Sequence, residues 1–183
     1  MRQYLTNNTD LMMDMLRAFD SQGGLFVTKA TQMESQSDVF RQLSFLIFST
    51  HTDRIQDAQL DPLLKKMADS FKTQHKEKSF TIALFLLTRI LILRLGPRKL
   101  APALKRLWPH LVAELVSVFE QPLNDANKSS NSVDSGGQNP ITMIQKILTQ
   151  DNSTATGGSA DFRLVKEAIK VVELTSQLNI EDF

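Results

Sequence analysis

At 183 residues the chain fits one domain or one piece of a longer array, and it is long enough to bury a core. Lys and Arg together number 21 against 20 Asp and Glu, so the chain is almost neutral as a whole. It has no cysteine, which excludes disulfides and thiolate metal sites and fits a cytosolic protein.

The first residues, Met1 to Asp10, turn polar before an apolar core can form, so no signal peptide is read there. Asn8 and Thr9 cap a predicted helix that runs to about Ala18 to Asp20, with Leu11, Met12, Met15, Leu16 and Phe19 spaced at three and four. Gly23 and Gly24 end it. A second helix is predicted from about Lys29 to Thr50, its stripe formed by Val39, Leu43, Leu46 and Ile47 and widened by Phe40 and Phe48. The third covers about Arg54 to Thr73, and Pro62 suggests that its regular part begins near Asp61.

The fourth predicted helix, about Lys76 to Leu95, is apolar nearly all round and should be the most buried element. Its run from Phe80 to Leu95 is only 16 residues long and carries Arg89 at its middle. A spanning helix needs about 20 apolar residues, and a central Arg costs roughly 2.5 to 3.5 kcal/mol even on a lenient scale, so burial among helices explains the run better. Gly96 and Pro97 stop it. A fifth helix is expected from about Ala101 to Gln121, with a kink or restart near Trp108 because Pro109 lies inside it. Trp108 is read as a core or groove residue anchored beside Pro109, in preference to a partner contact.

From Pro122 to Asn139 the sequence is polar and low in complexity, the composition of a flexible segment. A short helix over Pro140 to Gln150, a polar loop over Asp151 to Gly158 and a last helix over about Ala160 to Leu178 complete the chain. No stretch alternates as a strand would. The expected fold is therefore all-α: six or seven helices in an antiparallel, HEAT-like α-solenoid stack, one module over 1–183 with a disordered polar insert at about 122–158.

One feature of charge stands out. Between Lys78 and Ala113 there is no Asp or Glu, yet Lys78, Arg89, Arg94, Arg98, Lys99, Lys105 and Arg106 all fall there. Arg94, Arg98, Lys99, Lys105 and Arg106 flank one helix–loop–helix junction and form the candidate lipid-binding site. Each would contribute about 1 kcal/mol beside an anionic leaflet. Arg98 and Lys99 are expected just before the fifth helix, whose first amides favour an anion. The competing reading is a solvated rim whose arginines pair with acids of neighbouring helices.

Other chemistries find less support. His51, His75 and His110 share no local ligand spacing, so no metal and no cofactor is expected. The glycine pairs lack a following Lys-Ser or Lys-Thr, and no nucleophile elbow frames a serine, so no enzyme is expected. Aromatics are not interleaved with the cations as in a nucleic-acid stacking platform, so nucleic acid is not an expected partner.

A family resemblance adds to this reading. Leu25-Phe-Val-Thr-Lys-Ala-Thr-Gln-Met-Glu34 and Leu43-Ser-Phe-Leu-Ile-Phe-Ser49 resemble the start of the C-terminal region of the Dopey proteins. Leu93-Arg-Leu-Gly-Pro97, Leu107-Trp-Pro109 and Ala113-Glu-Leu-Val-Ser-Val-Phe119 are similar to that family's most recognisable stretch, and Leu164 to Phe183 to its next helix. The likeness runs from about Leu25 onward and leaves out the polar insert. It implies a non-enzymatic scaffold, cytoplasmic and peripheral on Golgi and endosomal membranes, acting in vesicle traffic with a Mon-type scaffold protein and a lipid flippase. It also implies a fragment from near the C-terminus of a much longer protein.

Overall fold

Capping chemistry sets several helix boundaries. Thr28 sits in extended conformation, and its hydroxyl accepts the N–H of Thr31 at 3.2 Å, which opens one helix. Gln56 opens the next: its own N–H is taken by the Gln59 side chain at 3.0 Å in a reciprocal capping box. In the computed structural model, residues 2–21, 28–51, 55–73, 76–130 and 159–178 are described. Six α-helices hold most of them: α1 (Arg2–Ser21), α2 (Lys29–Ser49), α3 (Asp57–Lys72), α4 (Lys78–Arg94), α5 (Pro97–Ser130) and α6 (Ser159–Ser176). No strand occurs among the described residues. The expected all-α fold is borne out.

The helices form two layers. Helices α2, α4 and α6 pack side by side in one, with α4 in the middle; α1, α3 and α5 form the other. Within a layer the helices run parallel. Arg94 at the end of α4 reaches Thr50 at the end of α2, and Lys99 and Arg106 of α5 meet Asp57 and Asp61 of α3 in the same order along both helices. Successive helices run antiparallel, so the chain makes three stacked hairpins, α1–α2, α3–α4 and α5–α6. That is the geometry of an α-solenoid.

The core threads between the layers. Phe40 touches Phe19 across α1 and α2 (ring centroids 4.8 Å apart) and Phe80 across α2 and α4 (5.5 Å), while Phe71 faces Phe85 across α3 and α4 at 6.5 Å. Leu84, Phe85, Leu87 and Thr88 of α4 are wholly buried, as its sequence leads one to expect of a central helix. The Thr88 hydroxyl donates to the Leu84 carbonyl at 2.8 Å, so that polar group is satisfied inside its own helix.

Three boundaries differ from the sequence reading. Helix α1 begins at Arg2, earlier than the expected caps at Asn8 and Thr9. Helix α3 begins at Asp57 and takes Pro62 into its second turn. Most consequential is α5: it starts at Pro97, not near Ala101, and is assigned as one helix through Pro109 and Pro122 to Ser130, with no restart at Trp108. Gly96 ends one segment and begins the next, because its carbonyl accepts the N–H groups of Lys99 (3.0 Å) and Leu100 (2.9 Å). Proline is tolerated at the first helical position, where its missing N–H has no intrahelical partner to lose. The predicted glycine exit at 23–24, the helix over 140–150, the loop over 151–158 and residues 131–158 of the insert lie outside the described residues.

Candidate functional site

Only Leu95 and Gly96 separate α4 from α5, so the two helices meet at a tight bend flanked by Arg94, Arg98 and Lys99, with Lys105 and Arg106 two turns further along α5 and Lys78 at the far end of α4. Their surroundings divide the cations of the window into three groups. Arg89 is half-buried and pairs with Glu167 of α6, which also accepts from Lys170 at 2.7 Å. Burial alone would raise the Glu167 carboxyl, but the hydrogen bond from Lys170 and the charges of Arg89 and Lys170 outweigh it and hold the group below the ordinary glutamate range.

The second group is tied to backbone and to exposed acids. The Arg94 guanidinium donates to the Thr50 carbonyl at 2.8 Å and lies over the Phe48 ring, 5.6 Å from its centroid. A cation there satisfies the end of α2, where carbonyls point out unpaired. The Lys99 ammonium donates to the Ile55 carbonyl and lies 3.7 Å from Asp57. Arg106 lies 3.6 Å from Asp61. Both aspartates are largely exposed, so these are loose surface pairs. Lys78 is engaged within the chain as well.

Arg98 and Lys105 make up the third group. Both are exposed, and neither has a hydrogen bond or ion pair among the described residues. They lie seven residues apart on α5, two turns along the same side. Arg98 and Lys99 fall in the first turn of α5 and not ahead of it as the sequence reading has it, so their charges sit at the end of the helix that favours anions over cations. A bound anion at this turn would relieve that conflict.

Trp108 is the residue the sequence reading misplaces. It is 45% exposed, not packed in the core, and the following Val112 and Val116 are 37% and 48% exposed. The spacing of Leu104, Leu107, Leu111 and Leu115 already marks the buried face of α5, and Trp108 falls off that stripe. Reading the phase of the helix across Pro109, not breaking it there, would have placed Trp108 outside.

Among the described residues no three His, Asp or Glu side chains are grouped to hold a metal ion, and no helix is long and apolar enough to cross a membrane. Stacked parallel hairpins with one continuous core define a segment of a helical, solenoid-like fold. The profile of one protein family, DOP1 C-terminal, matches residues 1–150, and the chain belongs to that family. The resemblance to the Dopey C-terminal region is thereby borne out. The match starts at residue 1, ahead of Leu25, and takes in most of the insert that the resemblance left out.

Three curated relatives agree. Protein DOP1 homolog of Drosophila pseudoobscura pseudoobscura is 26% identical over 178 residues, covering 92% of this chain and 6% of its own length. Protein DOP1 homolog of Drosophila melanogaster is 28% identical over 131 residues, 68% of this chain and 5% of its own. Protein pad-1 of Caenorhabditis elegans is 25% identical over 130 residues, 69% of this chain and 5% of its own. The chain thus spans only a small part of each relative's length. No solved structure matches it.

Proposed function

We propose that this chain is a non-enzymatic scaffold segment in Golgi and endosomal membrane traffic, peripheral on the cytoplasmic side. In this reading the helical stack carries protein contacts, with a Mon-type scaffold protein and a lipid flippase as the partners expected of its family. The α4–α5 bend contacts anionic phosphoinositide lipid. The single observation that supports the lipid contact is the pair of cations without a partner among the described residues, Arg98 in the first turn of α5 and Lys105 two turns along the same side. Lys99 and Arg106 join them when a phosphate displaces the exposed Asp57 and Asp61. Arg94 contributes charge but keeps its bond to Thr50. Each free cation is worth about 1 kcal/mol near an anionic leaflet, so two to four of them give weak, salt-sensitive binding that needs a second attachment through protein.

Vesicle flotation tests this. With phosphatidylcholine vesicles containing a phosphatidylinositol monophosphate, the chain is expected to float, and Arg98→Glu with Lys105→Glu to remain at the bottom. Arg94→Gln should behave as the parent. A parent chain that ignores vesicle charge leaves the purely structural solenoid segment, with no ligand of its own, as the better reading.

A further inference from the structure

The outward side of α5 is patterned for a partner of a particular kind. On its other flank α5 faces α3, and Lys99 and Arg106 mark that flank through Asp57 and Asp61. Trp108 follows Arg106 by two residues, which carries it roughly 160° round the helix, away from α3. Val112 continues the line at one turn and Val116 at two, with Phe119 partly buried at its end. Three large apolar side chains at intervals of four make a ridge about 12 Å long. Beside the packing of α5 on α3 and α6, these three side chains keep 37% to 48% of their surface exposed.

The spacing itself points to the shape of the occupant. Apolar groups four residues apart on one helix interdigitate with the same rows on another, whereas a strand would meet them out of step. A bilayer is a poorer fit, because the three side chains are only 37% to 48% exposed and offer little free apolar area to insert. Charge points to the occupant's chemistry. Lys105 precedes Trp108 by three residues, one turn back on the same line, and Arg98 lies two turns further; neither has an acid of its own among the described residues. A partner that covers the ridge must leave those cations in a half-desolvated rim, and carboxylates placed there would answer them.

We propose that the Trp108–Val112–Val116 ridge is a docking face for an amphipathic helix that carries Asp or Glu beside its apolar stripe. The inference goes beyond lipid contact, because the ridge is three neutral side chains that no phosphate needs, while the partner's acids would compete with lipid for Arg98 and Lys105. Trp108 is the chain's one tryptophan, so its emission reports the face directly.

The test is selection from a display library of helical peptides with randomised faces against the intact chain, followed by titration of synthesised winners on Trp108 fluorescence. The expected winners carry an apolar i, i+4 stripe flanked by Asp or Glu, and they shift the emission to the blue. Val112→Glu should weaken them at least about tenfold, the factor that 1.4 kcal/mol represents, with circular dichroism unchanged. Lys105→Glu, at an exposed position with no ion pair among the described residues, should turn the preference towards peptides with Lys in place of Glu. Several results overturn the proposal. These are no enrichment, winners that bind Val112→Glu equally, or winners without acidic residues. A blue shift produced by phosphatidylcholine vesicles would assign the ridge to a membrane. One produced by raising the chain's own concentration would assign it to a second copy. A red shift on replacing 131–158 by a Gly-Ser linker would assign it to the chain itself.

Discussion

The two layers are held by different chemistry. In the α2–α4–α6 layer the seams are mainly apolar: Phe40 of α2 meets Phe80 of α4, Leu43, Ile47, Leu84 and Leu87 lie wholly buried in the same core, and the one ion pair between α4 and α6 among the described residues, Arg89 with Glu167, is partly buried. In the α1–α3–α5 layer charged side chains cross the seams, with Asp20 on Lys66, Asp57 on Lys99 and Asp61 on Arg106. Burial of apolar area at about 25 cal/mol per Å² is indifferent to salt and pH, whereas an exposed ion pair contributes about 0–1 kcal/mol and fades with salt. The stack is therefore anchored on α4, and α5, which carries the bend and the ridge, is the more loosely attached rail.

The largest expected effect falls in the apolar layer. Phe40→Ala removes a ring that bridges Phe19 and Phe80 at full burial and leaves a cavity. A loss of about 3–5 kcal/mol is expected from urea unfolding. A loss under 1 kcal/mol would show that the layers do not differ as described.

Next comes the polar tie that is itself buried. The Lys76 ammonium donates to the Phe71 carbonyl at 2.7 Å and the Thr73 carbonyl at 3.0 Å, closing the end of α3. It also meets Glu114 of α5 at 2.6 Å, with the two side chains only 9% and 14% exposed. Glu114→Gln keeps the shape and removes the charge. It should cost about 1.5–3 kcal/mol, the range for hydrogen bonds to charged groups, and should be nearly independent of salt.

The third prediction concerns pH. Glu167 has its folded-state pKa lowered, so the Arg89–Glu167–Lys170 cluster contributes fully above the ordinary glutamate value of about 4.3 and loses its contribution as pH falls through the lowered one. Glu167→Gln should be less stable than the parent at neutral pH by about 1 kcal/mol. The two unfolding curves should converge in the acid range. A gap that stays constant with pH would mean that Arg89 and Lys170 do not hold the carboxylate.

The sequence carried these two kinds of seam unequally. Apolar spacing at three and four depends on helix geometry alone, so α2, α4 and α6 were legible to within a few residues, as was the central place of α4. The partners of the cations were not legible, because they come from helices distant in sequence: Arg89 finds Glu167 and Lys99 finds Ile55 only once the hairpins stack. Of the five candidate cations, three are occupied inside the protein and two have no partner among the described residues, a division that no count of charges reveals. Proline misled in the opposite direction. Pro97, Pro109 and Pro122 each read as a boundary, yet the first opens α5 and the other two lie within it, where the packing of Leu107, Leu111 and Leu115 outweighs one missing hydrogen bond per ring.

The smallest effect is the most informative about the bend. Arg106 and Asp61 are separated by 3.6 Å with side chains 44% and 77% exposed, so Arg106→Ala should change stability by less than about 1 kcal/mol. Asp61→Asn should do as little to the unfolding midpoint but should act on charge, because it releases Arg106 without adding a cation. Vesicle binding of Asp61→Asn is then expected to rise above the parent at low salt, and the difference to vanish at high salt. If Asp61→Asn instead destabilised the chain as much as Glu114→Gln, the α3–α5 seam would be as closed as the buried tie beside it. Arg106 would then be a structural residue and Arg98 with Lys105 the whole of the available site. Equal vesicle binding with unchanged stability would place Arg106 outside the lipid's reach altogether, since a freed guanidinium next to Lys105 and about two turns from Arg98 would otherwise add its share.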